Sequence, residues 1–253
     1  MKATATGRIL LWRGGSLWIG LAGEPTDLHA HHAVQITLPF APGRVRLRRA
    51  PGSWTSYAAA VVAAHQLHAL EARTQLLAQI FVDPESHEGR QLHLRYRSEG
   101  IAALPPKLLK LEIAALASAY QRRSTDAELI ALARAAIATI AGRTAALKKA
   151  PDARIALAVD LIRERLGGAI PLNSIARAVH LSPDRFRHLF IEETGMRFRP
   201  YVLWLRIEIA LAAFAAGRSL TEASHAGGFA DSAHFSRTFK RMFGIAPSSF
   251  QRE

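Results

Sequence analysis

Cysteine is absent from this 253-residue chain, and acidic residues are scarce beside basic ones. Without cysteine there can be no disulfide framework, thiolate metal site or cysteine nucleophile, and a reducing compartment such as the cytoplasm fits this composition. The 20 Asp and Glu residues stand against 33 Lys and Arg residues, which gives a formal net charge of +13. Such an excess favours an anionic partner, either nucleic acid or an acidic membrane surface.

Long apolar runs are also missing. Lys or Arg interrupts every Ala/Leu-rich segment before it reaches the ~20 residues that a membrane helix requires. Near the start, the apolar run from Ile9 to Trp12 ends at Arg13, short of the length of a signal peptide. We therefore expect a cytoplasmic chain with no membrane partner.

The first part of the chain has a pattern typical of β-strands. Residues 8–96 contain short runs of Val, Ile, Thr and Trp between Gly and Pro turn signals. From about Leu104 onward, apolar residues recur at helical spacing, with amphipathic candidates at Leu108–Ala119 and Leu129–Ile140. These two helices can pack on their own domain or against a second chain in a homodimer.

A boundary is predicted near residue 150. The segment 142–151 contains Lys148, Lys149 and Pro151, which suits a linker, and Asp152 can cap a helix that follows. We therefore predict one domain over 1–147 and a second over 152–253.

A repeat in the second domain is the most specific signal in the chain. Four residues recur 49 positions later: Phe186, Phe190, Gly195 and Tyr201 are matched by Phe235, Phe239, Gly244 and Phe250. In both copies a turn leads into a helix with inward aromatics four residues apart, followed by a Gly that can end it. Two copies of one supersecondary unit are implied.

The first copy has the pattern of a helix-turn-helix motif. A short helix over 172–179 is followed by a turn, after which Ser182 is a good N-cap and Pro183 suits the first helical position. The next helix would bury Phe186 and Phe190 and leave polar residues of its N-terminal half free to read DNA.

The second copy opens with Ser219 and Glu222 at the spacing of a capping box, and its second helix begins near Asp231 or Ser232. Between the copies, residues 201–216 predict an apolar-faced linker helix. The small residues Ala223 and Gly227 predict a loosely packed first helix in this copy.

Over roughly residues 152–251 the chain resembles the AraC/XylS family of transcription regulators. The resemblance includes the run from Gly228 to Pro247, with its recurring Phe and Gly residues, and a linker helix carrying Tyr201, Arg206 and Ala210. It implies that each recognition helix enters the major groove of double-stranded DNA, and that an activator would also contact RNA polymerase.

The resemblance also assigns base-reading positions, and chemistry adds contacts to phosphates. Arg187 and Arg237 are the best candidates to pair with guanine. The base-reading positions are Asp184, Arg187 and His188 in the first copy and Ser232, Ala233, Ser236 and Arg237 in the second. The candidate phosphate contacts are Arg185, Lys240, Arg241 and Arg206. Taken singly, each of these charges could instead be a solvated surface residue.

In the first domain, the stretch from Gly23 to Gln35 resembles the first half of the cupin metal signature. His29 and His31 stand at i and i+2, so on a strand they share one face, whereas His32 points the other way. Gln35 occupies the place of the usual carboxylate, and His68 that of the histidine in the second half. These residues either hold a metal or line the effector pocket of a metal-free sensory barrel, and we predict the metal-free form, with no cofactor.

A second feature of this domain concerns charge. Residues 44–48 alternate Arg with Val or Leu, so a strand here would place three Arg on one face. This face could bind an anionic small-molecule effector, or it could be a solvated stripe.

Together these patterns predict an α+β protein. A β-rich, cupin-like barrel with following helices precedes an all-α domain of two helix-turn-helix motifs joined by a linker helix. The predicted function is sequence-specific transcription regulation under small-molecule control, without enzymatic activity. Two alternatives stay open: a cupin-type metalloenzyme with an appended DNA-binding domain, and a non-specific, nucleoid-style DNA binder.

Overall fold

The computed structural model describes residues 5–40, 43–105, 107–142 and 152–252. It divides into two compact units, which we call the β unit (Met1–Thr144 with Ser236–Glu253) and the helical unit (Ala145–Phe235). The linker predicted at 142–151 falls almost wholly outside the described residues, so the predicted border stays a prediction.

The β unit contains two sheets. The strands are β1 (Ala5–Trp12), β2 (Gly15–Leu21), β3 (Val34–Pro39), β4 (Val45–Arg49), β5 (Thr55–Tyr57), β6 (Ala60–Val62), β7 (His68–Glu71), β8 (Leu76–Val82), β9 (Ile101–Ala103) and β10 (Phe250–Arg252). The larger sheet has the order β10-β1-β2-β8-β3-β6-β9, and the smaller one has the order β5-β4-β7. All pairings between strands are antiparallel except that of β10 with β1.

Nine α-helices lie in the described parts of the chain. They are α1 (His87–Tyr96), α2 (Lys110–Gln121), α3 (Asp126–Ala141), α4 (Ala153–Glu164), α5 (Leu172–Ala178), α6 (Pro183–Thr194), α7 (Phe198–Ala215), α8 (Leu220–Ala226) and α9 (Ser232–Phe243). A 3₁₀ turn over Pro247–Ser249 precedes β10. None of these helices combines the length and the apolar character that crossing a bilayer would take.

Both faces of the larger sheet are covered, and its central strands are therefore largely apolar on both sides. In β6, Val61 packs into a core shared with α1, α2 and α3, whereas Ala60 and Val62 pack against Val45 and Leu47 of the smaller sheet. Successive side chains of a strand point to opposite faces, so one strand serves two cores. The predicted alternation in β4 is confirmed, since Val45 and Leu47 are buried and Arg46 is exposed.

Two expectations for this unit need correction. Helix α1 lies within residues that we predicted to be β-rich; it begins where the side chain of Ser86 accepts the N–H of Gly89. The predicted apolar face of α2 is confirmed at Leu116 and Ala119, which are buried. It is wrong at the start of the helix, because α2 begins at Lys110 and Leu109, not Leu108, enters the core. Leu111 is 81% exposed as a result.

The apolar face of α3 is as predicted. Leu129, Ala133, Ile137 and Ile140 are fully buried in the core that the helices share with the larger sheet. Both α2 and α3 therefore pack on their own sheet.

Candidate nucleic-acid interface and histidine cluster

The first helix-turn-helix motif consists of α5 and α6. As predicted, the side chain of Ser182 accepts the N–H of Arg185, Pro183 takes the first helical position, and Gly195 ends α6 with a left-handed φ of 71°. The turn depends on His180, which has a φ of 57°, a conformation uncommon for a residue with a side chain. Pro171 begins α5 without a side-chain cap.

Aromatic packing fixes the orientation of α6. Phe186 and Phe190 are fully buried, in contact with each other and with Phe198 of α7. With this face inward, the opposite face of the N-terminal half of α6 reaches solvent. The exposed residues there are Asp184, Arg185, Arg187 and His188, all predicted to contact DNA. Arg187 forms an ion pair with Asp184 one turn away.

The N-cap of α6 gives a direct test of this description. Replacing Ser182 with alanine leaves an N–H at the start of α6 without its acceptor, and we expect a loss of about 1 kcal/mol of stability. Thermal unfolding followed by circular dichroism should show a fall in Tm of roughly 2–4 °C. Ser182→Thr keeps the hydroxyl and should restore most of the loss. An unchanged Tm in the alanine variant would mean that this cap contributes nothing.

The second motif consists of α8 and α9. Ser219 and Glu222 form the predicted capping box at the start of α8. The expectation that α8 is loosely packed is wrong, because Ala223 and Ser224 are fully buried. A Cβ at Gly227 would lie 2.6 Å from the carbonyl oxygen of Arg206 and 2.9 Å from the Cβ of Ala210, both on α7. The small residues of α8 allow a close approach to α7.

Helix α9 carries the second set of predicted DNA contacts. Asp231 caps it, since its carboxylate accepts the N–H of His234 at 2.6 Å. Phe235 and Phe239 are buried, as predicted. The remaining predicted positions are half-buried at Ser232 and Ser236 and exposed at Ala233, Arg237, Lys240 and Arg241.

From Ser236 onward, α9 and the residues after it belong to the β unit. Trp18 of β2 contacts the rings of Phe239 (6.0 Å between centroids), Phe243 (4.9 Å) and Phe250 (6.2 Å). The strand β10 then pairs with β1, so Phe250 lies opposite Ala5. No local pattern in the sequence indicates these long-range contacts, and the all-α domain that we predicted ends in a strand.

Two of the predicted phosphate contacts have protein partners. The ammonium group of Lys240 lies 3.0 Å from the carboxylate of Asp27, in the β unit. Arg206 donates from Nη2 to the carbonyl oxygen of Gly168 at 2.9 Å, in the helical unit. In the free protein the guanidinium of Arg206 thus fastens the loop after α4 to α7, and its contact with phosphate stays a prediction.

The four residues of the predicted effector pocket come together in the β unit. His29, His31, Gln35 and His68 are all buried, and one ring nitrogen of each histidine lies within 4.8 Å of the others. The Oε1 atom of Gln35 lies 2.9 Å from Nε2 of His31 and 3.1 Å from Nε2 of His68. As predicted, His32 points elsewhere; its Nε2 contacts Glu85 at 2.8 Å.

Burial governs the protonation of this cluster. Loss of solvent, together with the positive charge that His29 would carry, lowers the pKa of His31 to about 3. Burial also lowers the pKa of His29 and, well below the ordinary value, that of His68. All three rings are therefore neutral at pH 7, and each offers one nitrogen lone pair.

The arginines of residues 44–48 do not join this cluster. Arg46 pairs with Glu71 at 2.7 Å, and Arg48 lies over the ring of Trp54. Arg44 donates to Ser56. The charged face of β4 is thus a solvated stripe with partners of its own, and it gives no support to an anionic effector.

Comparison with known proteins agrees with the geometry of the two motifs. The model of a helix-turn-helix domain family matches residues 175–253. This part of the chain is a helix-turn-helix domain of the AraC type, and the proteins that it resembles are transcription regulators.

Among these relatives is the Msm operon regulatory protein of Streptococcus mutans, 31% identical over 94 residues, which are 37% of this chain and 34% of that protein. The regulator YijO of Escherichia coli is 33% identical over 95 residues, which are 37% of this chain and 34% of that protein. The chain thus covers about a third of the length of these relatives. Its fold resembles that of ToxT from Vibrio cholerae, with a TM-score of 0.61 at 12% identity, over 92% of this chain and 95% of that one.

Proposed function

We propose that the chain is a sequence-specific, DNA-binding transcription regulator of the AraC type. The observation that carries this proposal is the presence of two complete helix-turn-helix motifs, each with a buried aromatic face and an exposed polar face on its second helix. Its partner is double-stranded DNA in the cytoplasm, together with RNA polymerase if it activates transcription. A homodimer is the expected assembly.

The exposed side chains suit base recognition. Arg187 and Arg237 can each pair with O6 and N7 of a guanine, and the methyl group of Ala233 can contact a thymine. Arg185 and Arg241 are placed to contact phosphates. Together these residues provide both affinity and sequence preference, which a non-specific DNA binder would lack.

The histidine cluster favours regulation over catalysis. The cavity beside it, bordered by Trp18, Phe81 and Phe243, has a volume of about 30 Å³. That is room for a water molecule or an ion, and too little for an organic substrate. This size argues against a cupin-type enzyme that acts on an organic substrate at this site. ToxT has been crystallised with an unsaturated fatty acid bound, but a ligand of that size would not fit this cavity.

The test is selection of genomic DNA fragments by the purified full-length protein at physiological salt. We expect enrichment of a small set of fragments that share a motif. The variant with alanine at both Arg187 and Arg237 should lose the enrichment. Recovery of fragments without a common motif would instead identify a non-specific DNA binder and refute the proposal.

A further inference from the structure

The histidine cluster contains a conflict between hydrogen-bond acceptors. Nδ1 of His29 lies 2.8 Å from the carbonyl oxygen of Asp27, that of His31 lies 2.9 Å from Ala33, and that of His68 lies 2.8 Å from Gln66. A carbonyl oxygen can only accept, so each Nδ1 carries the proton. In the neutral ring, the proton on Nδ1 leaves Nε2 as a bare lone pair.

Two of these lone pairs face an atom that cannot donate. Nε2 of His31 and Nε2 of His68 both contact Oε1 of Gln35, while Nε2 of the Gln35 amide donates to Thr37 at 3.0 Å. Three acceptors therefore converge in a buried space, with the ring of His29 alongside. A cation between them would turn each of these contacts from unfavourable to favourable.

We propose that His29, His31 and His68 bind a divalent transition metal through Nε2, with Oε1 of Gln35 as the fourth ligand. The hydrogen bonds from Nδ1 to backbone carbonyls are the arrangement that fixes the ring and the tautomer of metal-bound histidines. Three imidazoles and one amide oxygen suit Zn²⁺, Co²⁺, Ni²⁺ or Fe²⁺ better than Mg²⁺ or Ca²⁺.

The end of α9 covers this site. The ring of Phe243 stacks on that of His31, with 6.0 Å between centroids. Gly244 approaches so closely that a Cβ there would lie 2.5 Å from Nδ1 of His29. The backbone of Asp27 links Gly244 to His29. Its N–H donates to the carbonyl oxygen of Gly244 at 2.8 Å, and its carbonyl oxygen accepts from Nδ1 of His29.

A metal that fixes the ring of His29 therefore stabilises the packing of the end of α9 on the β unit. In this packing Lys240 is paired with Asp27 and so is drawn away from DNA phosphates. The metal is thus the effector, and its binding weakens the binding of DNA; this second step rests on the proposed function.

Metal binding is tested on the full-length protein, purified without a histidine tag and stripped with a chelator. Titration with Zn²⁺ and Co²⁺ should show one equivalent bound, and the visible spectrum of the Co²⁺ form should be that of a four-coordinate ion. His68→Ala should bind at least 100-fold more weakly, whereas His87→Ala, which removes an exposed histidine of the same unit, should bind like the parent protein.

A second variant covers the case in which His68→Ala does not fold. Gln35→Glu replaces the amide oxygen with a carboxylate, and we expect it to bind metal at least tenfold more tightly than the parent. The proposal is overturned if the parent binds no metal stoichiometrically. The Gln35 amide would then be rotated, with its two N–H groups donating to His31 and His68.

The regulatory step is measured separately, as the affinity of the chelated and the Zn²⁺-loaded protein for a selected fragment. We expect at least a fivefold lower affinity with Zn²⁺, and no difference in His68→Ala. An equal affinity of the chelated and the Zn²⁺-loaded protein overturns the regulatory step but does not bear on the metal site. Failure to select any fragment refutes the proposed function, whereas the metal titration would still decide the site.

Discussion

Gly227→Ala is expected to destabilise the protein, although alanine is the smallest change possible at this position. The added Cβ would lie 2.6 Å from the carbonyl oxygen of Arg206 and 2.9 Å from the Cβ of Ala210, so α8 must move away from α7. Overpacking of this kind costs about 1–3 kcal/mol. In a chain of this size the expected fall in Tm is roughly 2–4 °C for each kcal/mol.

Gly167→Ala is the matched control. It makes the same chemical change in the loop after α4, where an added Cβ would have no neighbour within 4 Å. Removing a glycine from an unstrained position restricts the unfolded chain and stabilises a protein by about 0.4–1 kcal/mol. The two variants should therefore shift Tm in opposite directions. A fall of equal size in both would show that the contact between α7 and α8 is not what Gly227 preserves.

The same displacement should reduce DNA binding. Helix α8 supports α9, the second helix of its motif. Phe229, in the turn between the two helices, contacts Phe235 of α9 at 5.4 Å between ring centroids. If α8 shifts, this aromatic contact is disturbed and the start of α9 loses its orientation. We expect Gly227→Ala to bind a selected fragment more weakly than the parent at a temperature where both are folded, and Gly167→Ala to bind it equally well.

Gly227 also shows which kind of feature the sequence does not predict. Caps and turns are local, and Ser182, Ser219 and Gly195 could therefore be assigned from neighbouring residues alone. The effect of a small residue depends on what lies opposite it, which sequence spacing does not reveal. For this reason the prediction of loose packing at Ala223 is wrong, and the structure buries this residue fully.

The same distinction applies to the candidate sites. The i and i+2 spacing predicts that His29 and His31 share one side, the resemblance to the cupin signature adds His68, and the structure brings all three together. The contact of Trp18 with Phe243 was not predicted, because it joins residues far apart in sequence and neither belongs to a polar pattern. That contact places the end of α9 beside the histidines, so the connection between the two sites could be found only in the structure.

Arg187→Ala should produce a large loss of sequence-specific DNA binding. A bidentate contact with guanine contributes about 1–3 kcal/mol of discrimination, which corresponds to roughly 5–150-fold in affinity. In the free protein Arg187 is paired with Asp184, and an exposed ion pair of this kind is worth at most about 1 kcal/mol. Exchanging this pair for a base contact is therefore favourable, and alanine removes the gain.

Measurements on a selected fragment and on a scrambled duplex separate base reading from phosphate binding. Arg187→Ala should weaken binding to the selected fragment and barely change binding to the scrambled one. Arg241→Ala should weaken binding to both duplexes by a similar factor. It should also reduce the slope of log affinity against log salt concentration by about 1, as expected for the loss of one phosphate contact. Arg122→Ala, which removes an exposed arginine from the end of helix α2, should affect neither.

The comparison of Arg187 with Arg237 decides whether the two motifs contribute equally. A loosely packed α8, as the sequence predicts, would make the first motif the stronger contributor. Since α8 packs closely on α7, that reason no longer holds, and we expect Arg237→Ala to match Arg187→Ala within about threefold. A much smaller loss for Arg237→Ala would mean that the second motif positions the protein on DNA while the first reads the sequence. The end of α9 is packed against Trp18 in the β unit, and this packing would then be what limits the approach of α9 to the bases.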